Sequence, residues 1–111
     1  MELTINDKIY SFRFGVKFVR ELDKNHAIER EGIRFGMGLA AKILPELKTA
    51  NIATLADILY IANRTESPKL NQGEIDDFID NCEDLESVFD MVLKEITESN
   101  TGKLINSKMN Q

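Results

Sequence analysis

The first fourteen residues alternate between apolar and polar. Met1, Leu3, Ile5, Tyr10, Phe12 and Phe14 fall on one side of a period-2 pattern, and Glu2, Thr4, Ser11 and Arg13 on the other, with Ile9 the apolar exception. Asn6-Asp7 divides the run. Both residue types tolerate positive φ, so a two-residue turn there sets Ile5 opposite Lys8, Leu3 opposite Tyr10 and Met1 opposite Phe12. Register and alternation agree on a β-hairpin with one apolar face. A lone hairpin is marginal in water, so that face needs helices to pack on.

At Gly15 the period changes from 2 to 3.6. Phe18, Val19 and Leu22 share one face of a helix reaching about Asn25, while Lys17, Arg20, Glu21, Asp23 and Lys24 point away. A loop from His26 to Phe35 leads to a second helix, about Met37 to Leu47, which Pro45 kinks or restarts. Asn51 caps a third helix running to about Asn63. Its Ile52, Leu55, Ile58, Leu59, Tyr60, Ile61 and Ala62 leave almost no polar face, which marks it as the buried central element. After Ser67-Pro68, Asn71 and Glu74 have capping-box spacing and open a fourth helix lined by Ile75, Phe78, Ile79 and Cys82. A fifth spans about Asp84 to Ser99, with Leu85, Val88, Phe89, Val92, Leu93 and Ile96 on one face. From Asn100 the chain is polar and aperiodic, with Gly102 as a stop, and reads as a disordered tail. The predicted architecture is α+β, mostly α: an N-terminal β-hairpin packed on about five α-helices in one domain over residues 1–99, then a flexible polar C-terminal tail over 100–111.

A chain of 111 residues has room for one domain with a modest core, so assembly with a partner would add stability. Fourteen basic residues stand against nineteen acidic ones, a net charge of −5. Nucleic-acid binding needs clustered Lys and Arg to displace counterions, and that clustering is missing. One cysteine, Cys82, rules out an intramolecular disulfide and suits a reducing compartment. Neither a basic-then-apolar leader nor an apolar run near the ~18 residues of a membrane span is visible. The expectation is a cytoplasmic protein with neither nucleic-acid nor membrane partners.

The candidate chemistry is thin. Gly36-Met37-Gly38-Leu39-Ala40-Ala41 has the form G-x-G-x-x-A, and Asp57 follows at roughly the distance of a ribose-binding acid. Dinucleotide binding requires a strand before the glycines and a second strand under the acid, whereas a loop precedes these glycines and Asp57 sits in a helical pattern. Glycines that let a loop turn and approach a helix closely account for the motif. Glu74, Asp76, Asp77, Asp80, Glu83, Asp84 and Glu86 suggest calcium, yet an EF-hand loop started at Asp76 or Asp80 lacks the oxygen ligand at its third position and the glycine at its sixth. A solvated acidic face explains them. His26 has no serine or cysteine arranged for nucleophilic catalysis, and one histidine with one cysteine cannot build a structural zinc site. No enzyme, cofactor or metal is expected. What remains is surface for partners: the open edges of the hairpin, suited to self-association or strand addition, and Phe12, Phe14, Phe35 and Met37, adaptable apolar side chains near the hairpin and its following loop.

Four stretches in order carry a family resemblance: Leu3-Thr4-Ile5-Asn6-Asp7-Lys8-Ile9-Tyr10, Phe14-Gly15-Val16-Lys17-Phe18-Val19-Arg20-Glu21-Leu22-Asp23, Gly36-Met37-Gly38-Leu39, and Asn51-Ile52-Ala53-Thr54-Leu55-Ala56-Asp57-Ile58-Leu59-Tyr60. Over most of residues 1–98 the chain resembles the tail assembly chaperones of long-tailed phages of Gram-positive bacteria. Its turn is Asn-Asp where that family leads one to expect Asn-Gly. The resemblance implies a protein that binds and solubilises the tape-measure protein, helps recruit tail-tube subunits, acts in the host cytoplasm and is absent from the mature virion. It also implies a longer form made by ribosomal frameshifting, and no catalytic residues. Two other classes fit the composition less well. An acidic inhibitor that mimics DNA needs denser negative charge, and a cofactor-binding module needs a strand before its glycine loop.

Overall fold

The computed structural model describes residues 1–25 and 42–109. Strands β1 (Glu2–Ile5) and β2 (Lys8–Ser11) form a two-stranded antiparallel sheet. Its register pairs Ile5 with Lys8 and Leu3 with Tyr10, as the alternation predicts. Asn6 and Asp7 both have positive φ, 52° and 65°, the requirement of a tight two-residue hairpin turn. Beyond the last ladder pair, the Met1 amino group donates to the Phe12 carbonyl at 3.1 Å and the Phe12 N–H to the Met1 carbonyl at 2.8 Å. Ile5, Tyr10, Phe12 and Phe14 turn into the core while Glu2, Thr4 and Arg13 face out, and Ile9 is 61% exposed.

Six helices follow among the described residues: α1 (Val16–Asn25), α2 (Leu44–Lys48), α3 (Ile52–Asn63), α4 (Gln72–Asn81), α5 (Leu85–Glu98) and α6 (Asn100–Met109). Helix α3 is the central element. Leu55, Ile58 and Leu59 have no exposure, and α1, α2 and α4 all pack against it. The Asn51 side chain accepts from the Thr54 N–H, and Asn71 with Glu74 closes both halves of the capping box on α4. Asp84 caps α5 by accepting from the Ser87 N–H at 3.1 Å. No described helix is long and apolar enough to cross a membrane.

Two elements differ from expectation. The helix expected from Met37 to Leu47 lies outside the described residues before residue 42. Within them it begins as a π turn at residues 42–43 and restarts as α2, with Pro45 in its first turn, where a missing N–H is harmless. The helix then ends in a left-handed residue, Ala50 at φ 59°, whose N–H bonds the Leu47 carbonyl while the Asn51 N–H reaches that of Glu46. This closure favours glycine at the left-handed position. Ala50→Gly is therefore expected to raise stability by about 0.5–1 kcal/mol, relief of the left-handed backbone outweighing the added chain entropy. A melting temperature higher by a few degrees checks it.

The second difference is at the C-terminal end. The disordered tail expected from Asn100 is instead helix α6, and Gly102 sits within it, buried, rather than stopping it. Ser99 makes the corner. Its backbone is extended, at φ −67° and ψ 156°; its hydroxyl donates to the Ile96 carbonyl at 2.7 Å and accepts from the Gly102 N–H at 3.0 Å. A Cβ on Gly102 would stand 1.8 Å from the Ile96 carbonyl oxygen, so only glycine lets α6 pass this close to the end of α5.

Candidate protein-binding surface

The expected contact residues divide. Phe12 and Phe14 are 2% and 6% exposed, and Phe14 meets Phe18 edge to face at a centroid distance of 5.0 Å. As placed, they pack the core and offer a partner no side-chain surface. Phe35 and Met37 lie outside the described residues, as do His26 and the Gly36–Ala41 motif. Asp57 is exposed midway along α3, on a helix rather than at the end of a strand, and the described residues hold one antiparallel sheet and no parallel pair. That geometry does not build a dinucleotide site. Among the described residues, no group of three His, Cys, Asp or Glu side chains is gathered to hold a metal. Cys82 ends α4 half-buried against the core, a small hydrophobe in place.

An apolar groove lies where the α2–α3 corner meets α5. The left-handed turn at Ala50 brings the end of α2 beside the start of α3, and together with α5 they enclose a groove of about 420 Å³. Leu47, Ala50 and Ile52 form one wall, and Leu85, Phe89 and Leu93 the other. Ile52 is 53% exposed, and Leu85 and Leu93 are half-buried, so this apolar surface is open to solvent. The charged rim is Lys48 on the α2 side and Glu86 and Asp90 on α5. Nothing in the pattern of α5 alone separates the half-buried Leu85 and Leu93 from the fully buried Val92 and Ile96.

A second hollow, about 310 Å³, lies at the start of α1 with Arg13, Lys17, Thr65 and Glu66 on its walls. Its rim is charged and its lining mixed, which suits solvent better than an apolar partner.

Behind the groove, polar groups fix the scaffold. The Thr54 hydroxyl donates to the Glu46 carboxylate, tying α2 to α3, and Lys42 pairs with the same carboxylate group at 3.0 Å. At the other end of α3, Asn63 is fully buried. Its amide nitrogen donates to the Ser11 and Pro68 carbonyls at 3.0 and 3.1 Å, and its oxygen accepts from the Leu70 N–H at 2.7 Å. The Arg64 guanidinium lies 3.9 Å from the centre of the Tyr60 ring, covering an aromatic that the sequence alone leaves as extra apolar surface.

These features describe a domain with an apolar groove at the α2–α3 corner. Neither the curated proteins nor the solved structures compared with the sequence give a match. The family model for phage tail assembly chaperone proteins (TAC) matches residues 2–111. That match spans nearly the whole chain, and the role it names is assembly rather than chemistry. The chain belongs to the phage tail assembly chaperone family.

Proposed function

We propose that this chaperone binds and solubilises the phage tape-measure protein in the host cytoplasm, helps recruit tail-tube subunits to it, and leaves before the virion is complete. The carrying observation is the open apolar groove between the α2–α3 corner and α5. A tape-measure protein is a long helical chain whose apolar surface stays uncovered until the tube closes around it, and such surface aggregates. An amphipathic helix lays apolar side chains into a groove of this kind, and a wall of Leu, Ile and Phe tolerates varied sequences. The net charge of −5 keeps the loaded complex soluble. Phe35 and Met37, which lie between α1 and α2 in the sequence, remain proposed contacts.

Co-expression with the tape-measure product tests this. The soluble fraction of that product is expected to rise several-fold, with a complex of several chaperone copies surviving size-exclusion chromatography at micromolar concentration. Ile52→Asp, an exposed change that leaves the core intact, is expected to weaken the complex without altering the helical signal. A tape-measure product equally soluble alone, or no complex at all, would overturn the proposal.

A further inference from the structure

The groove has two rims of opposite sign. Glu86 and Asp90, both exposed, stand one helical turn apart on the α5 side, and Lys48, also exposed, lies on the α2 side. The α5 rim belongs to the most acidic part of the chain. Residues 72–99, which hold α4 and α5, carry ten acidic side chains and one basic one, a net −9, whereas the whole protein is only −5. The rest of the chain is therefore net positive, and the negative field is local to this segment. Between the rims the lining is apolar: Leu47, Ile52, Leu85, Phe89 and Leu93. From Leu85 to Leu93 the α5 wall runs about 12 Å, roughly two turns of helix, at 1.5 Å per residue.

We infer that the groove selects an amphipathic partner helix with one basic flank. Apolar side chains at i, i+4 and i+7 of that helix enter between the walls, and two Lys or Arg one turn apart meet Glu86 and Asp90. The inference rests on the groove being the site proposed above for the tape-measure protein, and names the chemistry that this site accepts. Turning such a helix end for end, with its apolar face down, exchanges its flanks and sets its cations beside Lys48. It therefore seats in one direction. The apolar walls supply most of the attraction and tolerate varied side chains. The rims supply choice, because a carboxylate brought against Glu86 and Asp90 is repelled.

Two synthetic helical peptides of equal length test it. Both carry leucines at i, i+4 and i+7 and glutamines on one flank; the other flank is lysine in the first and glutamate in the second. Fluorescence anisotropy of each labelled peptide, titrated with the purified full chain, is expected to show the lysine peptide binding about tenfold tighter. The variant carrying both Glu86→Lys and Asp90→Lys is expected to reverse that order, with circular dichroism unchanged. Ile52→Asp is expected to weaken the lysine peptide even though it adds negative charge. Equal affinities, no binding of either peptide, or an order unchanged by the double reversal overturns the inference. So does a lysine peptide bound as tightly by Ile52→Asp, the result expected of contact with the acidic surface outside the groove. Co-expression reads the parent proposal separately. A tape-measure product kept soluble by a protein that does not rank the peptides overturns this inference alone. Peptides ranked as expected, beside a tape-measure product that stays insoluble, overturn the proposed function alone.

Discussion

Asn63→Ala is expected to lower unfolding free energy by about 2–4 kcal/mol, since it strands the buried Leu70 N–H at roughly 1–3 kcal/mol and takes the donor from the part-buried Ser11 and Pro68 carbonyls, which water partly recovers. One fully buried amide serves all three at 2.7–3.1 Å. Alanine also removes volume, but the polar loss dominates, because Asn63 is shaped by its partners rather than by apolar neighbours. The Asn63–Ser11 bond joins residues 52 apart in sequence, so the same change loosens the hairpin from α3 and the loop from the start of α4. A denaturant titration should show the midpoint moving sharply lower. Asn63→Asp should be no better, because a carboxylate would face two carbonyls that require a donor. A loss under about 1 kcal/mol would mean that the site is wetter than its burial indicates.

The second large effect is expected at the hairpin. Phe12→Ala should cost about 3–5 kcal/mol, the range for emptying an aromatic core position. Phe12, the residue that follows β2, is 2% exposed. A domain of this size has only about 5–15 kcal/mol in all, so the variant should melt far below the wild type. The measurement separates packing from recognition. If Phe12 were a contact residue, alanine would spare the melting temperature and reduce tape-measure binding alone. The expected result is loss of stability first, with binding lost only as the folded fraction falls.

That distinction shows where sequence is informative and where it is not. The hairpin register, the Asn71–Glu74 capping box and the central, mostly buried place of α3 all depend on residues a few positions apart, and the pattern states them directly, although it put Ile52, which is exposed, among the buried positions. Phe12 and Phe14 show the limit. An apolar residue in a period-2 pattern marks a side, and the pattern alone cannot say whether core or partner covers it. The groove was hidden for a related reason: Ile52 and Leu93 lie 41 positions apart in the sequence, and the fold alone brings the α2–α3 corner alongside α5. Helix α6 was missed because its signals point the wrong way. The run after Ser99 is polar and aperiodic, and Gly102 reads as a stop. Here the serine hydroxyl ends one helix while starting the next, and the glycine is required by proximity to Ile96 rather than by a turn.

That corner sets the direction of α6 at one point, the end of α5. It is held by a hydroxyl and by the absence of a side chain. Beyond Gly102, position becomes phase: each residue added or removed turns the rest of α6 by about 100° and advances it by about 1.5 Å. One inserted residue after Gly102 would swing Lys103 and Leu104 more than a quarter-turn round the axis while leaving the hairpin, α3 and the groove as they are. The outward face of this protein can thus be re-aimed in discrete steps, like a dial, without redesigning the domain that carries it.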